Sequence, residues 1–266
     1  MSAVAQPLAD PAIVDVRRSG GVVTLTMNRP AQYNALSEAM IAALDDALAA
    51  VAADESARVV ILAGAGKAFC AGGDITTMAG LKAPAGRDRL KNVQELTRLM
   101  VSLEKPIIAA VNGFATGAGL HIALASDMII ASENAKFRES FALIGLIPDM
   151  GGFYFLPLRV GLPKAKELMM TGRLFDAREA AEMGLVNKVV PHEELEKEVA
   201  ELASQLAAGP GRVYAMIKSA LNLWPASLPT LMEVEANLQA IAFETQDFDE
   251  GRRSFLEKRK PRFTGA

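Results

Sequence analysis

The sequence predicts an α/β protein whose strands are covered by helices, and three observations predict it. Short runs rich in Val, Ile and Leu recur at 21–28, 58–64, 107–111 and 127–131. Segments of helical periodicity separate the first three of these runs. From about residue 163 the strand signal nearly vanishes and helices alone remain.

Taken in order, GVVTLTMN (21–28) alternates apolar and polar residues as a half-buried strand does. Ser37 stands where an N-cap belongs, ahead of a helix predicted to run to about Ala53. RVVILAG (58–64) reads as a buried strand, RLKNVQELTRLMVSLE (89–104) as an amphipathic helix, IIAAV (107–111) and DMIIA (127–131) as two further buried strands. Helices are then predicted at 163–171, 176–183, 191–208, 211–223, 227–246 and 248–259. Asp176 and Glu179 have capping-box spacing, and Pro163 and Pro191 fall where a first helical turn tolerates proline. No linker and no repeat of fixed period interrupts the chain. The expected division is a core over 1–200, its first eleven or so residues flexible, and a helical region over 201–266 that docks on the core or on a neighbouring subunit.

The 266 residues are 51% hydrophobic and 22% charged, enough to bury a sizeable core. The N-terminus lacks a basic segment followed by an apolar one, and no stretch approaches the roughly 18 apolar residues of a membrane span, so a cytoplasmic protein with no membrane partner is expected. A lone Cys70 and two histidines, His121 and His192, leave too few thiolate and imidazole ligands for a structural zinc cage, and no metal is expected. A net charge of −3 argues against bulk nucleic-acid binding. GRRSFLEKRKPRF (251–263) nevertheless carries six basic residues against one glutamate, which reads either as a solvated helix face or as a contact for an anion.

Two buried strands end in loops of small residues: ILAGAGKAFCAGGDITTM (61–78) and IIAAVNGFATGAGLHIALASD (107–127). Small side chains let a ligand approach backbone N–H groups. Neither loop is a familiar nucleotide loop. Around Gly66-Lys67, Ile61 stands where the first Walker glycine belongs and Ala68 where the Ser or Thr belongs; in GAGLHI, Ile122 takes the place of the third dinucleotide-loop glycine.

NRPAQYNALS, AFCAGGDI, KPIIAAVNGFATGAG, LIPDMGG and FLEKRKPRF occur in an order and spacing that resembles the enoyl-CoA hydratase/isomerase (crotonase) family, over about residues 12–263. The resemblance implies a crotonase spiral of ββα units with a helical C-terminal region. It further implies an acyl-coenzyme A thioester substrate, no separate cofactor, and a homotrimer or dimer of trimers. By position, the two backbone N–H groups that hold the thioester oxygen in this family map onto Gly73 and Ala118, where preorganised donors would stabilise a developing enolate. Ala71, Asp74 and Ile75 are expected to flank the ligand through backbone atoms, Phe141 to form a pocket wall, and Lys258 with an aromatic at Phe243 or Phe255 to meet the adenosine phosphate end of coenzyme A.

The two glutamates that activate water in hydratases of this family are replaced here by His121 and Phe141. Asp149 instead occupies the place of a catalytic aspartate found in several isomerases of the family. One carboxylate there would move a proton between C4 and C2 of a 3-enoyl thioester through a dienolate held by Gly73 and Ala118, and an apolar setting would make it a stronger base. Read as bare residues, Asp149 could equally cap a helix beginning at GGFYFLPLR, and His121 could be a packed, hydrogen-bonded core residue. The expected activity is an enoyl-CoA isomerase with Asp149 as proton shuttle. The alternatives are a hydratase using His121 or Asp149, an aspartyl nucleophile toward an aromatic acyl-CoA, and a crotonase homologue that binds acyl-CoA without turnover.

Overall fold

The computed structural model describes residues 12–265; residues 1–11, expected to be flexible, lie outside the described residues. Strands β1 (Val14–Ser19) and β2 (Val22–Met27) form an antiparallel hairpin whose turn uses Gly20 at φ +57°. Helix α1 (Glu38–Ala53) follows, and Ser37 caps it by accepting a hydrogen bond from the Met40 N–H at 3.2 Å. Its buried residues Met40, Ile41, Leu44, Leu48 and Val51 recur every three or four positions, the spacing of one helix face.

Three units of strand, strand and helix come next: β3 (Val59–Gly64), β4 (Ala68–Cys70) and α2 (Ala83–Ser102); β5 (Ile107–Val111), β6 (Phe114–Thr116) and α3 (Ala118–Leu124); β7 (Met128–Ser132), β8 (Lys136–Arg138) and α4 (Gly152–Val160). The chain continues through α5 (Leu162–Thr171), β9 (Leu174–Asp176), α6 (Ala177–Glu182), β10 (Lys188–Val190), α7 (Leu195–Ala207), α8 (Gly211–Leu221), α9 (Leu228–Phe243) and α10 (Gln246–Leu256). The first strand of each unit joins a six-stranded sheet of order β1-β2-β3-β5-β7-β10, and the second joins a four-stranded sheet of order β4-β6-β8-β9. Each unit therefore advances both sheets by one parallel strand, which generates the spiral.

The register explains the apolar runs. In β3, Val60 and Leu62 enter the main core with Leu25, Phe69, Leu96 and Met100, while Val59 and Ile61 face the opposite side with Ile108, Ile130 and Val190, under Leu195, Val199 and Ala203 of α7. A strand buried on both faces has no polar alternation to show. The expected domain division at 200/201 falls inside α7, so the packed core extends at least to Ala203. The expectation that strands end near residue 163 is corrected by β9 and β10, and α2 begins earlier than predicted, at Ala83. Strands β4, β6, β8, β9 and β10 are three residues each, shorter than any period-2 pattern can register. Lys218 ties α8 to the spiral by donating to Asp127 Oδ2 and to the Met100 carbonyl, both at 2.9 Å. Among the described residues no helix is long and apolar enough to cross a membrane.

Candidate active site

The first glycine loop is set by a buried asparagine. Asn34, at φ +58° and fully buried, donates from Nδ2 to the carbonyls of Ala65 (2.9 Å), Ala68 (2.8 Å) and Phe69 (3.2 Å), while its Oδ1 accepts from the Arg29 N–H at 2.9 Å. This clamps the NRPAQYNALS segment onto β4. Leu36 then pairs with Gly73 as a single parallel bridge: the Leu36 N–H donates to the Gly72 carbonyl at 2.8 Å, and the Asp74 N–H to the Leu36 carbonyl at 3.1 Å. In such a bridge the middle residue's own amide points away from the partner, so the Gly73 N–H is turned from Leu36. The Ala71 carbonyl accepts from Thr116 Oγ1 at 2.8 Å. Asp74 caps the single turn Ile75–Thr77, and the Thr76 hydroxyl, followed by Arg29 at 3.3 Å, holds its carboxyl below the usual range. Ile75 is largely exposed.

The second loop meets the first. Gly117, at φ +52°, donates to the Arg138 carbonyl at 2.8 Å and turns the chain into α3, whose first residue is Ala118. An amide at that position has no intrahelical acceptor. A Cβ on Gly72 would lie 2.7 Å from the Thr116 carbonyl oxygen and 3.4 Å from the Ala118 nitrogen, so only a glycine lets the two loops touch here. This contact sets the loop that carries Gly73 against the start of α3, and among the described residues neither the Gly73 nor the Ala118 amide has a hydrogen-bond acceptor.

One turn further along α3 stands His121, fully buried. Its Nε2 contacts Glu139 at 2.8 Å to Oε1 and 3.1 Å to Oε2, its ring stacks on Phe141 with centroids 5.2 Å apart, and its Nδ1 faces Asp149 Oδ1 at 3.9 Å. Glu139 is also fully buried. Asp149 keeps 21% of its side chain exposed, yet Oδ1 is buried and has no hydrogen-bond partner, as is His121 Nδ1. The exposure thus belongs to the outer part of the carboxylate. Burial pushes the Asp149 carboxyl above its ordinary range; a positive charge on His121 opposes this, and Glu139 adds to it.

The helix-capping role is excluded for Asp149: α4 is entered through Gly151 at φ +83°, with no side-chain cap. Phe141 is buried and stacks on the His121 ring. Direct contact of His121 with a ligand, in contrast, is not what its burial allows. Cys70 is buried, donates to the Asn34 carbonyl at 3.1 Å, and has its thiol pushed up to about 12 by burial, which fits a packing residue. Phe255 lies in the last turn of α10 and Lys258 just past its end, where the Lys258 N–H donates to the Phe255 carbonyl at 3.3 Å, and both are exposed. Phe243 packs edge-on against Phe248 with centroids 5.2 Å apart. No hydrogen bond, ion pair or ring contact among the described residues joins these three to the glycine loops. Nor do the described residues gather three or more His, Cys, Asp or Glu side chains able to hold a metal ion.

Glu139 is the functional candidate that sequence reasoning missed. The signal was available: in KFRES the strand alternation of β8 places Glu139 on the same side as the buried Phe137, and a buried acid needs a partner.

The enoyl-CoA hydratase/isomerase family profile matches residues 17–266. The 1,2-epoxyphenylacetyl-CoA isomerase of Escherichia coli is 38% identical over 250 residues, covering 92% of this chain and 95% of its own. The crotonyl-CoA hydratase of Syntrophomonas wolfei is 39% identical over 244 residues, covering 91% and 94%. Among solved structures, the enoyl-CoA hydratase of Bacillus anthracis superposes with a TM-score of 0.91 at 36% identity, covering 95% of this chain and 99% of that one. With the ββα spiral and the paired glycine loops, these similarities make the chain a crotonase-fold member of the enoyl-CoA hydratase/isomerase family.

Proposed function

We propose that the protein is an acyl-CoA isomerase that moves a double bond along an enoyl thioester, with Asp149 as the proton carrier. The observation that carries the reading is the Asp149 carboxylate, with its other side open and one oxygen buried against His121, which stands one helical turn along α3 from Ala118. The thioester oxygen would accept from the Gly73 and Ala118 N–H groups. Asp149 takes a proton from C2, the C–H electrons pass into a dienolate whose charge rests on that oxygen, and Asp149 returns the proton to C4, or the reverse. Burial makes the carboxylate a better base, and the apolar wall of Phe141 keeps water from the dienolate.

The hydratase reading, which draws on the names of several relatives, requires a group that binds and activates water. The two positions that bear glutamates in hydratases are occupied here by Phe141, which transfers no proton, and by His121, which is fully buried. That composition favours proton shuttling over hydration. The exposed apolar side chains of the C-terminal helices, including Ile217, Leu228, Met232, Ile241 and Phe255, support assembly as a trimer or dimer of trimers, with Lys258, Phe243 and Phe255 meeting coenzyme A there.

The test is turnover of a 3-enoyl-CoA followed by appearance of the conjugated 2-enoyl thioester, alongside crotonyl-CoA hydration. Asp149→Asn should lower the isomerisation rate about 10²–10⁴-fold, the usual worth of general acid–base catalysis. Hydration faster than isomerisation, or an unimpaired Asp149→Asn enzyme, overturns the reading.

A further inference from the structure

We infer that Glu139 and His121 form a buried positioning pair that holds an Nδ1–H against the inner oxygen of Asp149, so that only the outer oxygen exchanges a proton with substrate. The inference rests on the isomerase reading of Asp149 and extends it to two residues that do not touch the reacting atoms.

It follows from counting donors. A carboxylate only accepts hydrogen bonds, so with Glu139 as the anionic partner the contacts at 2.8 and 3.1 Å place a proton of His121 on Nε2. The other ring nitrogen, Nδ1, would then be an acceptor facing Asp149 Oδ1, which as a carboxylate oxygen is also an acceptor. Both atoms are buried and neither has another partner. Two buried acceptors facing one another leave two groups unsatisfied, whereas one proton placed between them satisfies both. The negative charge of Glu139 on the far side of the ring offsets the cost of that proton.

The ring cannot turn away to escape this arrangement. Phe141 covers one face in an 11° stack, and a Cβ on Gly152 would lie 2.2 Å from Cε1 and 2.3 Å from Nε2, so the glycine is there because the ring lies directly on the backbone. The 3.9 Å gap closes by about an ångström when the carboxylate settles on the donor, within the tightening expected on forming a Michaelis complex. During catalysis the Nδ1 proton stays in the gap; the proton that moves is the substrate's, from carbon to the outer oxygen and back.

The charged groups that face Asp149 are His121 from α3, Glu139 beyond β8, and Arg89 from α2, which is itself paired with Glu38 at 3.1 Å. Arg89 stays in place in the variants below.

The experiment combines pH profiles with histidine spectroscopy. In wild-type protein labelled with ¹⁵N-histidine, with His192→Gln to leave a single ring, both nitrogens of His121 should carry protons at neutral pH. In Glu139→Gln the Nδ1 proton should be lost. In His121→Gln the acid limb of kcat/KM for isomerisation should move up by about 1 pH unit, because an opposite charge beside the base is gone. Pure packing roles would lower activity without moving that limb. An unprotonated Nδ1 in the wild type, or an acid limb unmoved in His121→Gln, overturns the inference. If Asp149→Asn is inactive while the limb stays put, the pair alone is refuted; if Asp149→Asn is active, the isomerase reading itself falls. The wild-type spectrum decides the question even where a variant fails to fold.

Discussion

Gly152→Ala adds one methyl group at a place where there is no room for it. Its Cβ would lie 2.2 Å from His121 Cε1, 2.3 Å from Nε2 and 2.7 Å from Nδ1, where ordinary contacts begin at 3.4 Å. The ring would have to retreat by roughly 1.2 Å, several times what a packed interior yields without cost. Retreat is blocked on one side by the Phe141 stack and resisted by the 2.8 Å bond to Glu139. If the ring stays, overpacking costs about 1–3 kcal/mol. If it moves, a buried hydrogen bond to a charged group is lost, about 1.5–3 kcal/mol. Both routes arrive near 2 kcal/mol, which in a chain of this size lowers Tm by roughly 4–8 °C. Activity should fall further than stability, since about 1 Å of misplacement passed on from a positioning residue can cost ~10²-fold. Thermal melts and isomerase rates measured on the same preparation test this. An alanine variant with wild-type Tm and wild-type kcat would show that His121 is free to move, and the rigid packing argued above would be wrong.

Further expectations follow from the same geometry. Ala118→Pro removes one of the two N–H groups proposed to hold the thioester oxygen, at the first position of α3 where proline is tolerated, and should cost about 10²–10³ in kcat with circular dichroism unchanged. Asp149→Asn should stabilise the protein at neutral pH. The folded-state pKa of Asp149 is raised, so its contribution to folding is fully present below the ordinary aspartate range and is lost as pH rises through the folded value. Denaturant midpoints of wild type and variant should therefore converge at acid pH and separate at neutral pH, and the opposite order would contradict the direction of the shift. Cys70, buried with its thiol pushed up to about 12, should resist a thiol reagent at pH 8 until the chain is unfolded.

How much of this was legible in the sequence depended on how locally each feature is encoded. Ser37 and Asp176 as N-caps are decided within four residues, and each accepts the expected backbone hydrogen bond, while the Glu179 carboxylate that would complete a capping box is paired with Arg173. The three-residue strands β4, β6 and β8 are held by parallel neighbours far away in the chain, and nothing in AFC or FAT alone demands a strand. The glycines were visible as loops, but their individual reasons were not. Gly72 admits the Thr116 carbonyl and Gly119 the Cys70 carbonyl, contacts that exist only once the spiral has formed. Asp149 could be singled out because a carboxylate among apolar residues is conspicuous. Glu139 was passed over because KFRES looks like a polar surface segment until β8 is known to be a strand with Phe137 turned inward.

The arrangement couples three demands to one short segment of chain. Ala118 offers its amide at the start of α3, His121 stands behind the base from the same turn, and Gly119 between them presses on β4, which leads directly into Gly73. The contact of Gly119 with Cys70 fixes α3 against β4, and the contact of His121 with Gly152 fixes the ring that faces Asp149. Both are backbone approaches that a single methyl would abolish. A buried acid and a buried imidazole, such as Glu139 and His121, are costly to bury unless each member is paired. The pairing is satisfied on the Glu139 side at hydrogen-bond distance and left open on the Asp149 side at 3.9 Å. In the proposed arrangement a proton on Nδ1 closes that gap at the inner oxygen of Asp149, and the outer oxygen of the same carboxylate is the one that exchanges a proton with substrate.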